Sequence, residues 1–213
     1  MMKINRNIRK TGWLAGLILV CSMPSTAKVY WGVRSGIAYS SLVQKIDLDY
    51  WSGACLGYSA GIMAEVPLSE RFSLRPEVAF VYEGGSFLSE PLEGWFLLKH
   101  RLRNYSLQPS LNVAFRIPLS DVTMFVYAGP AFDYRLWDRI STRKMEDEPV
   151  FITEKKTRPF DLVFNSGISV EYKSVFFSIN AQSGHLYRQT RKTEGEPSVF
   201  QNNLTFSLGY FFR

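Results

Sequence analysis

The stretch QNNLTFSLGYFFR, residues 201–213, decides the fold. Leu204, Phe206, Leu208, Tyr210 and Phe212 take every second place, and Thr205, Ser207 and Gly209 fall between them. A period of two is the mark of a strand with one apolar and one polar face. The apolar face is strongly aromatic, and no polar tail follows to cover it. A soluble domain has to bury such a face, whereas a lipid bilayer accepts it as it stands.

The same pattern runs back through the chain. Val29, Trp31, Val33, Ile37 and Tyr39 oppose Gly32, Arg34 and Gly36. Leu56, Tyr58, Ala60, Ile62, Ala64 and Val66 oppose Ser59, Gly61 and Glu65. Phe72, Leu74, Pro76, Val78, Phe80 and Tyr82 oppose Ser73, Arg75, Glu77 and Glu83. In 105–116, Tyr105, Leu107, Pro109, Leu111, Val113 and Phe115 alternate with Ser106, Gln108, Ser110, Asn112, Ala114 and Arg116. A fifth run covers 122–134. Phe160, Leu162, Phe164, Ile168, Val170 and Tyr172 stand against Asp161, Asn165, Ser169 and Glu171. Val175, Phe177, Ile179 and Ala181 stand against Ser178, Asn180 and Gln182.

Counting the opening stretch, this predicts eight strands of roughly ten residues, the length that crosses a bilayer at a tilt. Tight turns follow the second, fourth and sixth strands at Pro67-Leu68-Ser69-Glu70, Pro118-Leu119-Ser120-Asp121 and Lys173-Ser174. Long connections are expected at about 41–54, 84–101, 135–158 and 188–201. Alternation of short and long connections is the habit of outer-membrane barrels, with turns on the periplasmic side and loops outside. An even strand number places both termini in the periplasm. A bilayer tolerates no open sheet edge, so the last strand must pair with the first. The expected fold is all-β: an eight-stranded antiparallel transmembrane up-and-down β-barrel.

Composition agrees. Of 213 residues, 46% are hydrophobic and 15% aromatic, yet mean hydropathy is only −0.08. Past residue 27 there is no apolar run of the ~20 residues a spanning helix needs. Residues 1–27 read as a secretory signal: Lys3, Arg6, Arg9 and Lys10, an apolar core from Trp13 to Val20, then Pro24-Ser25-Thr26-Ala27 for cleavage. The barrel is expected over 28–213. Removing those four basic residues from 25 leaves 21 against 19 acidic, so the net charge falls from +6 to +2. The pI of 9.3 is then no argument for nucleic-acid binding. Removing the signal also removes Cys21, and Cys55 alone cannot form an internal disulfide. No Cys/His cluster has metal-ligand spacing, and no cofactor is expected.

The competing arrangement is a soluble barrel of the lipocalin type, with the apolar face lining a cavity. Two features favour the membrane: rings too many and too bulky for a small lumen, and aromatics gathered near strand ends as an interfacial girdle. Tyr30, Trp31, Phe72, Phe115, Tyr172, Phe211 and Phe212 lie at one end. Tyr39, Tyr50, Trp51, Tyr82, Tyr105, Tyr134 and Tyr187 lie at the other. The expected surroundings are outer-membrane lipid.

In this arrangement Arg34, Glu65, Arg75, Glu77, Arg116, Asp161 and Glu171 point into a narrow lumen. Eight strands leave room for little beyond side chains, and charges there are costly unless paired. An internal ion-pair network is expected rather than a pore. In the longest connection, Arg135, Arg139, Arg143 and Lys144 precede Glu146-Asp147-Glu148 and Glu154-Lys155-Lys156. Such a mixed run reads as solvated surface. The alternatives are contact of the basic cluster with lipid phosphates and of the acidic triplet with a divalent ion.

The order of Gly57-Tyr58-Ser59-Ala60-Gly61, Phe72-Ser73-Leu74-Arg75-Pro76-Glu77, Tyr105-Ser106-Leu107-Gln108-Pro109, Tyr127-Ala128-Gly129-Pro130 and Gly167-Ile168-Ser169-Val170-Glu171-Tyr172 resembles the PorT-like outer-membrane β-barrel family of Bacteroidota. The resemblance spans roughly 29–212. It implies an eight-stranded barrel without known chemistry and an association with type IX secretion machinery. The expected role is non-enzymatic. An enzymatic alternative rests on Ser183 and His185, two apart and so on one face of a strand. That order is the reverse of the His-x-Ser of a lipid A deacylase, and no orienting acid is evident.

Overall fold

The computed structural model describes residues 28–44, 53–89, 98–144, 159–186 and 199–213. The expected signal segment lies outside them, as do Tyr50, Trp51, Tyr187 and the Glu146–Glu148 triplet. Eight strands follow in order: β1 (Tyr30–Gln44), β2 (Ala54–Pro67), β3 (Phe72–Ser89), β4 (Leu98–Leu119), β5 (Val122–Lys144), β6 (Phe160–Tyr172), β7 (Val175–Gly184) and β8 (Val199–Phe212). Each pairs antiparallel with its sequence neighbour, and β8 closes on β1 from Trp31↔Phe212 to Gln44↔Val199. Closure gives every strand two partners, which is what a bilayer demands of a sheet.

The turns at one end are tight. Ser120-Asp121 and Lys173-Ser174 are two-residue loops, each with a positive φ at its first residue (48° and 55°). Between β2 and β3, Ser69 Oγ accepts hydrogen bonds from the N–H groups of Phe72 (3.1 Å) and Arg71 (3.4 Å).

The apolar face points outward. Ile37, Leu56 and Leu208 are each more than 60% exposed, an arrangement that water would oppose and hydrocarbon favours. The lipocalin alternative, with its apolar face inside, is thereby excluded. Phe72 packs on Phe115 at one end, with ring centroids 5.2 Å apart. At the other, Tyr58, Tyr82, Tyr105 and Trp137 form a continuous row across four strands, with successive centroids 5.4, 4.9 and 5.6 Å apart.

Two expectations about the strands need correction. The connections expected at 84–101 and 135–158 are in part sheet, because β3 runs on to Ser89, β4 begins at Leu98 and β5 ends at Lys144. Charge made these stretches read as loop, but above the bilayer a strand faces water and its charges belong outside. Phe211, expected in the girdle, is fully buried inside the barrel. It shares its parity with Gly209 and Ser207, so it must face inward.

A β-bulge interrupts β5. Tyr105 pairs with Trp137 and Ser106 with Arg135, leaving Leu136 as the extra residue. Leu136 and Trp137 therefore both face outward (55% and 48% exposed), and the alternation beyond them is reversed. Ile140 turns inward to pack on buried Leu42 and Leu102. Polar-inside thus gives way to apolar-inside where the strands leave the membrane.

Candidate functional site in the barrel lumen

Inward positions below that level carry the polar half of the alternation, and they pair. Arg75 reaches Glu65 at 2.8 Å and Glu171 at 3.8 Å, and donates to Ser169 Oγ at 3.1 Å. Its guanidinium lies over the Phe125 ring, 3.7 Å from the centroid. Arg34 pairs with Glu77 and donates to Ser207 Oγ at 2.8 Å. Arg213, just past β8, reaches from the rim to pair with Glu171 and donates to the Lys173 carbonyl at 3.2 Å.

A second layer lies toward the longer strand ends. Arg135 sits 3.5 Å from Asp133 and 3.9 Å from Asp161. Gln108 donates to Asp133 (3.1 Å) and accepts from Gln182 (3.1 Å). Glu83 is 1% exposed and accepts from the amides of Asn104 (2.9 Å), Gln108 (3.5 Å) and Asn203. Gln201 donates to Ser40 Oγ (2.8 Å), which donates to the Gly84 carbonyl (2.7 Å).

Of the seven expected lumen residues, Arg34, Glu65, Arg75, Glu77, Asp161 and Glu171 have side chains shielded inside the barrel. Arg116 does not: it is exposed, because the strand has already reached the turn end. Sequence reasoning placed Glu83 on the polar face without assigning it a role, and missed Asp133 and Arg135. Arg135, expected in a solvated loop, is buried.

Apolar residues close the turn end of the lumen. Met63, Phe176 and Phe211 form a buried cluster, with the two rings 5.0 Å apart. The cavity lined by Arg34, Arg75, Glu77, Asn112, Tyr127 and Phe176 has a volume of ≈ 20 Å³, about the room one water needs. Among the described residues the lumen is lined by paired charges, and this cavity is too small for a solute.

Ser183 and His185 are both exposed, Ser183 on the outward face of β7 and His185 just beyond its end. Neither side chain is hydrogen-bonded to the other or to an acid among the described residues.

A closed eight-stranded barrel, apolar toward lipid and packed with paired charges inside, defines a membrane-spanning outer-membrane protein. The chain belongs to the outer membrane protein beta-barrel domain family, whose profile matches residues 22–188. No curated protein sequence matches it. Similar solved structures include Ail, the attachment invasion locus protein of Yersinia pestis, in complex with the heparin analogue sucrose octasulfate. That likeness has 13% identity and a TM-score of 0.48, covering 87% of this chain and 99% of that one. A major outer membrane protein from Thermus thermophilus is 13% identical with a TM-score of 0.48, covering 85% and 99%. The outer membrane enzyme PagL is 11% identical with a TM-score of 0.40, covering 81% and 98%.

Proposed function

We propose that the protein is a non-enzymatic, non-conducting outer-membrane barrel, PorT-like in kind and accessory to type IX secretion in a member of the Bacteroidota. The packed lumen carries the non-conducting part of this reading. Ion pairs at two levels and the Phe176–Phe211 cluster occupy the space a solute would need. The termini and short turns are periplasmic, and the long hairpins stand outside.

A sealed barrel acts through what it presents at its ends, and the long ends of β3, β4 and β5 form a sheet beyond the membrane. Among the described residues, β5 above Tyr134 pairs with β4 alone, apart from one hydrogen bond from the Arg135 N–H to the Pro159 carbonyl (2.8 Å). Such a strand suits docking of another protein. The secretion assignment rests on the ordered motifs shared with the PorT-like family. It is tested by comparing the culture-supernatant proteome of a deletion strain with its parent. Loss of proteins carrying type IX export signals, with their accumulation in the periplasm, is the expected result. Unchanged export overturns the assignment.

A further inference from the structure

Three arginines stand on the outward face of the β4–β5 hairpin just beyond its aromatic row. Arg103 and Arg101 follow Tyr105 at two-residue steps along β4, Arg139 follows Trp137 on β5, and all three are exposed. Arg103 and Arg139 are direct cross-strand partners. Opposed residues begin about 5 Å apart, and like charges so placed destabilise a sheet. None of the three arginines is hydrogen-bonded or ion-paired to another described residue. Their β3 register partners are Gly84 beside Arg103 and Ser86 beside Arg101, so no carboxylate stands beside them in register. The backbone register holds this concentration of charge in place, and an anion bound there would relieve it.

Height in the membrane says which anion. From Phe115 in one girdle to Tyr105 in the other is ten steps along β4. At about 3.3 Å per residue and a tilt of about 40°, that rises roughly 25 Å, the height of an outer-membrane barrel's apolar band. Arg103 then stands about 5 Å above the hydrocarbon, at the level of lipid headgroups. Below it on the same face lie Leu107, Leu111 and Val113, all exposed to acyl chains. One amphiphile with a phosphorylated head satisfies both regions.

We infer that Arg101, Arg103 and Arg139 form a binding site for the phosphate groups of a phosphorylated glycolipid in the outer leaflet. A planar guanidinium fork matches phosphate oxygens in pairs, and two forks side by side grip one group from both strands. The inference rests on the outward orientation of the hairpins proposed above.

The test uses the full mature chain and its R101Q/R103Q/R139Q variant, folded in neutral detergent micelles and checked by heat-modifiable migration. Each is titrated with bisphosphorylated lipid A and with its dephosphorylated counterpart, and bound lipid is read by native mass spectrometry. At about one decade or slightly less per cation, the parent should prefer the phosphorylated lipid by on the order of 100-fold, and the variant should lose that preference. Equal binding of both lipids by the parent overturns the site, as does undiminished preference in the variant. Heparin binding that depends on the arginines, with no discrimination between the lipids, would assign the patch to a soluble polyanion instead and overturn the lipid reading. Micelles have no sides, so these outcomes are independent of orientation. Labelling of an Asp121→Cys variant on intact cells decides orientation separately.

Discussion

Arg34 on β1 and Glu77 on β3 form an ion pair across the strand that lies between them. The register puts Gly61 of β2 directly opposite Arg34, and a Cβ at Gly61 would lie 3.0 Å from Glu77 Oε1. Glycine here leaves the gap through which the two side chains meet, so a backbone choice on one strand sets the electrostatics of two others.

Glu77→Ala leaves the Arg34 guanidinium shielded from water (7% side-chain exposure) with Ser207 as its remaining partner. Removing one member of such a pair costs about 3–5 kcal/mol. The urea midpoint for unfolding from lipid vesicles, followed by heat-modifiable migration, should fall accordingly. The double variant R34L/E77L leaves no orphan charge and should recover most of the loss. A midpoint unchanged in the single variant would show that the pair adds nothing.

Gly209 on β8 lies under the Phe176 ring of β7, and any Cβ there would run into that ring. Gly209→Ala should push Phe176 off Phe211 and cost about 1–3 kcal/mol, the usual penalty of overpacking. Pairing it with Phe176→Leu should restore part of the loss, which separates a steric clash from a general dislike of alanine in the strand. Equal instability of the single and double variants would count against the packing account.

How much of this was open to a reader of the sequence depended on what each face touches. Lipid imposes a period of two, so the outward residues of seven strands and the extent of the fifth were plain, and with them the strand order and closure. Phe176 and Phe211 were also within reach, since each is adjacent to a lipid-facing aromatic, Phe177 and Phe212, and alternation sends one of every such pair inward. Arg135 shares the parity of Asp133 but stands beside a bulge that no local signal announces. Ile140 faces inward only because Leu136 shifts the frame. The outer stretches of β3, β4 and β5 reverse the rule learned from the membrane, with arginines outside and Leu102 inside. A periodicity tuned to lipid passes over them. Partners of the ion pairs depend on barrel closure: Arg34 and Ser207 are 173 positions apart.

Ser120 holds φ at 48° in the two-residue turn between β4 and β5, a conformation that costs an L-residue roughly 1–2 kcal/mol and glycine almost nothing. Ser120 is exposed, and its side chain makes no hydrogen bond to another described residue. Ser120→Gly should therefore stabilise the barrel by up to about 1 kcal/mol, partly offset by glycine's greater freedom in the unfolded chain. A higher urea midpoint is the expected result, and a lower one would mean that unfolded-state entropy dominates.

The two ends of the barrel can be told apart by cysteine labelling, in a Cys55→Ser background because Cys55 is a free thiol. Asp121 is an exposed residue of a tight turn, and Arg139 lies on the outer stretch of β5, two residues past Trp137. If the tight turns are periplasmic, an impermeant maleimide added to intact cells should modify Arg139→Cys and leave Asp121→Cys untouched until the outer membrane is permeabilised. The asymmetry has a physical origin. Each connection between outer strand ends must be carried through the bilayer during assembly or left behind, and short turns left in the periplasm need little room. In this orientation Arg101, Arg103 and Arg139, which crown the end with long connections, face the outer leaflet. The opposite labelling pattern would invert the barrel and put that arginine cluster against the inner leaflet, where the same cations would face the headgroups of ordinary phospholipids.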